Sequence, residues 1–80
     1  MLIWQSGGNR MIPLSMADVG QPQIIKKLGG NPEVRQHLET LGFNVGGEVL
    51  VVSTLAGNLI VKVKESRVAV DEALARKIMV

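Results

Sequence analysis

Apolar positions recur at two different periods along this chain, and together they predict a mixed fold in which strands predominate. Val34, Leu38 and Leu41 fall at i, i+4 and i+7, the stripe of a helix that buries one face. The ends of that helix are marked chemically. Asn31 is an N-cap residue, Pro32 suits the first helical position, Glu33 lies beside the positive helix end, and Gly42 stops the helix. Residues 59–64 alternate strictly instead, so Leu59, Val61 and Val63 are expected to face a core while Ile60, Lys62 and Lys64 face water. In residues 48–52, Val49, Leu50, Val51 and Val52 are apolar on both sides, which predicts a central strand covered on both faces.

The flanking segments are shorter. Residues 23–28 set Ile24, Ile25 and Leu28 around Lys26 and Lys27, an imperfect alternation that predicts a single strand with a bulge. Ahead of it, Ser15 and Asp18 form a capping-box-like pair for a short helix that Gly20 and Pro22 stop. Residues 67–70 read as a strand after a turn that begins at Ser66. Asp71 then caps a last short helix with Leu74 and Ile78 on one face and Arg76 and Lys77 near its negative end. Residues 78–80 suit a closing strand as well. Short strands separated by Gly turns predict a small barrel of about five strands, with the helix of residues 31–41 across one opening. Its expected core is Val34, Leu38, Val49, Val51, Val61 and Val63.

Composition narrows the picture. Eighty residues make one domain, because a chain of that length removes only about 60–65% of its unfolded surface from water. Hydrophobic residues make up 46% of the chain, and Trp4 and Phe43 are its aromatics, so the core is built from Val, Leu, Ile and Met. Cysteine is absent, which excludes disulfides and thiolate zinc sites and agrees with a reducing compartment. Residues 1–10 end in Ser6, Gly7, Gly8, Asn9 and Arg10 and read as a flexible N-terminal extension, with the domain proper over residues 11–80. No apolar run approaches the roughly 18–20 residues of a membrane-spanning helix. The net charge of +2 is spread out, Lys26 and Lys27 being the only adjacent basic pair.

Candidate chemistry is sparse, and no catalytic residue, cofactor site or metal site is assigned. One His, no Cys and no Tyr leave no nucleophile and base that the sequence places together, so an enzyme is not expected. Asp71 and Glu72 are better explained as cap and dipole partner than as a catalytic pair. His37 meets only Glu33 at helical spacing, two ligands where a metal site needs more, and a solvated helix pair accounts for both. The methionines are scattered and read as gap fillers. Gly29 and Gly30 precede a helix but lack the following Lys with Ser or Thr of a nucleotide loop. Lys62 and Lys64 would give a basic strand edge, yet no aromatic is interleaved to stack on bases.

The segments MIPLSMADVG, KKLGGNPEVRQHLETLGFNVGGEVLVV and NLIVKVKESRVAVDEALARKIMV, in that order and spacing, resemble the FeoA family of ferrous iron uptake accessory proteins over residues 11–80. The chain departs from the family pattern in its short connection of residues 53–58 and in Ser66, which stands where a Gly is common. The resemblance implies a small SH3-like β-barrel, mainly β with short helices and an added α-helix. It further implies a non-enzymatic cytoplasmic protein, peripheral to the inner membrane through its partner, that docks on a membrane ferrous iron transporter carrying a cytoplasmic GTPase domain and modulates it. Neither nucleic-acid binding nor insertion into the membrane is expected, and a weak homo-oligomer stays open. Alternatives are a transition-metal-ion-binding or metal-responsive module and, below it, a nucleic-acid-binding barrel. For a docking surface the residues singled out are Arg35, on the flank of the helix stripe, and Ile60, apolar on an otherwise charged face. The plainer readings are an Arg35–Glu39 pair and a stray exposed apolar side chain.

Overall fold

The computed structural model describes residues 11–80; the expected N-terminal extension lies outside them. A 3-10 turn, Leu14–Met16, is followed by strands β1 (Pro22–Ile24) and β2 (Lys27–Leu28), helix α1 (Pro32–Leu41), and strands β3 (Glu48–Leu55), β4 (Asn58–Val63) and β5 (Ser66–Asp71). Helix α2 (Glu72–Ala75) and strand β6 (Ile78–Met79) complete the chain. The strands form a four-stranded antiparallel sheet in the order β1-β3-β4-β5 and a separate β2-β6 ribbon.

Helix α1 is bounded as its chemistry requires. The Asn31 side chain accepts a hydrogen bond from the Val34 amide at 2.8 Å. At the other end Gly42 turns left-handed at φ 111°, its N–H donating to Glu39 and the Phe43 N–H donating back to the Leu38 carbonyl at 3.0 Å. These are the paired bonds of a Schellman ending, which folds the residue after the glycine under the helix. Leu38 and Phe43 are accordingly both fully buried.

The β3–β4 hairpin closes in two residues, Ala56 and Gly57, at φ 51° and 84°. Its inner face carries Val49, Val51, Leu59, Val61 and Val63, all buried. With Leu38 these include the expected core except for Val34, which is half-buried at the margin. Ile25, Leu28, Leu14 and Phe43 join them from the first half of the chain, and Val70, Ala75, Ile78 and Val80 from the last turns. A register shift between Val51 and Ser53 leaves Val52 unpaired and bends β3. Among the described residues no polar or charged side chain is buried.

Several local expectations are corrected. Ser15 lies inside the 3-10 turn instead of capping it, and the residue ahead is Pro13, which makes no side-chain cap. Residues 23–28 are two strands, not one: Pro22–Ile24 pairs with β3, the chain turns a corner at Ile25 and Lys26, and Lys27–Leu28 pairs with β6. The barrel is therefore completed by that corner and not by a closed ladder, leaving β1 and β5 as the outer strands of the main sheet. Residues 53–58 extend the hairpin and form no separate loop. The positive φ near Ser66 falls on Lys64, at 56°, in the two-residue turn before β5. Asp71 does cap α2, accepting from the Leu74 amide at 2.8 Å, and Ile78 belongs to the closing strand. That strand exchanges two bonds with Ile12 through Val80, at 2.9 and 2.8 Å, so the two ends of the domain are stitched together.

Two outcomes follow for stability. Leu38→Ala removes a fully buried side chain and is expected to cost about 2–4 kcal/mol in chemical denaturation. Ala56→Asn converts the hairpin turn to the Asn-Gly pair that tolerates left-handed backbone at both positions, and is expected to raise stability by about 0.5–1 kcal/mol. A lowered melting temperature for the second variant would show that the turn is not built this way.

Candidate docking surface

No polar or charged side chain is buried among the described residues, so the polar side chains available for recognition lie on the surface. An open groove of about 610 Å³ lies between β2 and α1. Pro32, Arg35, Gln36 and Glu39 line its helical wall, and their spacing of three and four residues puts them on one face of α1. Lys26 and Lys27 form the opposite wall, and Val45, in the turn after the helix, closes one end with 63% of its surface exposed. The helix is held against this wall by its entry: the Gly29 N–H donates to the Lys77 carbonyl at 2.6 Å, and Gly30 adopts φ 90°.

Arg35 thus sits in the groove, and no ion pair joins it to Glu39 although both side chains border the same space. Arg76 does pair with Glu72, at 3.2 Å and largely exposed, an arrangement of little energetic weight. Ile60 is placed elsewhere. It lies on the outer face of the main sheet, half-buried between Ser53 on β3 and Ala69 on β5. Leu50 shares that outer side, paired with Lys62, and Arg67 follows Lys62 on β5. The two singled-out residues therefore belong to two surfaces, the groove and the outer sheet face.

Lys26, Lys27 and Val45 were not singled out by sequence reasoning. The available signals were faint: an adjacent basic pair, and an apolar residue isolated among turn-forming neighbours. Nothing in the chain order announces that three segments meet. Glu33 and His37 line a separate shallow depression with Asn31, Val34 and Leu74. No group of three or more His, Cys, Asp or Glu side chains placed to hold a metal occurs among the described residues. Met11 and Met16 are 50% and 69% exposed, so these two do not fill core gaps as the sequence suggested.

Comparison with known proteins bears on the whole domain. A model of the FeoA domain matches residues 12–80. A protein of Methanocaldococcus jannaschii named "Putative Fe(2+) transport protein A" is 36% identical over 70 residues, covering 88% of this chain and 85% of its own. The crystal structure of an iron uptake regulatory protein (FeoA) superposes with a TM-score of 0.81 at 28% identity, over 88% of this chain and 93% of that one. The FeoA of Stenotrophomonas maltophilia, crystallised with zinc and described as a prokaryotic SH3 domain protein, gives 0.70 at 24% identity over 81% and 84% of the two chains, a likeness of fold.

A substitution at the helix entry tests how the groove is held. A Cβ added at Gly30 would meet Val34 at 3.0 Å and Lys77 at 3.2 Å in a left-handed backbone. Gly30→Ala is therefore expected to cost about 1–2 kcal/mol in thermal or urea unfolding and to shift the amide resonances of Arg35 and Lys27. An unperturbed spectrum would show that α1 is positioned by other contacts.

Proposed function

The chain belongs to the FeoA domain family, whose members are associated with ferrous iron transport, and from that premise we propose that it is an accessory protein of ferrous iron uptake. It acts on the cytoplasmic side, without catalysing a reaction, by docking on the membrane iron transporter and modulating it through the transporter's GTPase domain. The observation that carries the docking reading is the open groove of Arg35, Lys27 and Val45, a place of concentrated charge and exposed apolar surface on a domain with no buried polar or charged side chain among the described residues. No helix among the described residues is long and apolar enough to cross a membrane.

A metal-responsive module is the second reading, supported by the zinc complex of the Stenotrophomonas maltophilia relative. Here Glu33 and His37 are the available donors, and titration with ferrous or manganese ion separates the readings: saturable binding at a defined stoichiometry favours the second. The nucleic-acid alternative draws little support from the Lys62 and Arg67 face, because Phe43 is buried and offers no stacking surface there.

The docking reading is tested by a pull-down of the transporter's cytoplasmic domain with Arg35→Glu and Ile60→Asp. Arg35→Glu is expected to lose about tenfold in affinity, roughly 1.4 kcal/mol, with thermal unfolding close to wild type, and a loss with Ile60→Asp would extend the docking surface to the outer sheet face. Wild-type binding by both variants would place the docking surface elsewhere, and no affinity of the unmodified protein in any nucleotide state would remove the docking mechanism.

A further inference from the structure

Resting on the docking reading, we infer that the groove between β2 and α1 takes an extended acidic peptide segment with one apolar anchor residue. The groove gathers Lys26, Lys27 and Arg35 against the single carboxylate of Glu39. Lys27 and Arg35 alone outnumber the carboxylate of Glu39. Cations on two facing walls of a concave site reinforce one another at its centre, which draws a negatively charged ligand into the groove more than onto the flanking surface. Gln36 adds amide donors and acceptors able to bind a peptide backbone.

The apolar part of the groove fixes the second requirement. Val45 stands exposed at one end, and Pro32 and Leu28 contribute to the lining beside the basic wall. A single apolar side chain set among carboxylates would cover Val45 while its neighbours reach Lys27 and Arg35. A flat anionic membrane fits less well, since it cannot enter between two walls, and the exposed apolar element is one valine rather than an amphipathic face. Nucleic acid fits less well again, because none of the lining residues is aromatic.

The experiment is a titration of the uniformly 15N-labelled full chain with the peptide acetyl-Asp-Glu-Asp-Leu-Asp-Glu-Asp-amide, followed by amide chemical shifts. Expected are saturable shifts at Lys27, Arg35 and Val45, an affinity that falls as salt is raised, and at least about tenfold weaker binding for Arg35→Glu and for Lys27→Glu. Arg67→Glu, a charge reversal on β5, is expected to bind as wild type does. The inference is overturned by the absence of saturable shifts or by shifts confined to the face of Lys62 and Arg67. It is equally overturned if a Leu→Ser peptide or a Lys-Arg version binds as well, or if phosphatidylglycerol vesicles shift the same amides. Retention of the transporter's cytoplasmic domain in the pull-down while the peptide fails removes this inference alone. Peptide binding without retention of that domain removes the docking reading alone.

Discussion

The inner face of the β3–β4 hairpin sets what the rest of the domain must do. Val49, Val51, Leu59, Val61 and Val63 point to one side of it, and all of them are buried. In a domain without a disulfide, packing against that face is the main source of stability available. Helix α1 contributes Leu38, and its Schellman ending turns Phe43 back beneath it. The corner at Ile25 and the bonds between Ile12 and Val80 bring in the chain's early and late segments. What such a core leaves for function is its outside: the same corner and helix entry that complete the packing also set Lys27 opposite Arg35.

Elements governed by local chemistry were legible from the sequence, and those governed by distant pairing were less so. Asn31, Pro32 and Gly42 announce α1 because capping acts within a few residues. The alternation from Leu59 to Val63 puts Leu59, Val61 and Val63 on the buried face because one face is buried and register is fixed, while Ile60 on the other face is half-buried. The segment of residues 23–28 misleads because its two halves pair with strands far away in sequence, β3 and β6. Ser15 misleads because a Ser three residues before Asp looks the same whether or not a helix follows. The turn at Ala56 is masked since Ala is a poor residue for φ 51°, and Lys64 for φ 56°. Arg35 could be placed on the helix flank from its number alone. Its neighbours across the groove could not, because Lys27 and Val45 meet it only once β2 has paired with β6 and the helix has turned at Gly42.

The fold alone does not decide what the domain recognises, since one small barrel serves many partners and its function resides in the side chains it displays. Here those side chains fall into a basic groove and a mixed outer sheet face, neither of which depends on the core residues for its charge. Surface substitutions away from structural features usually change stability by no more than about 0.5 kcal/mol. Substitutions on these faces are thus expected to leave folding intact.

The central claim, that the domain acts by charge-steered docking and not by holding a metal, is tested most directly by calorimetry. The transporter's purified cytoplasmic domain is titrated into the full chain at low and at raised salt, with ferrous ion titrated separately. Docking through the groove predicts one saturable binding event whose affinity falls as salt screens the cations, and no saturable heat from the ion alone. Binding indifferent to salt, or a stoichiometric ferrous site without any affinity for the transporter domain, would contradict it.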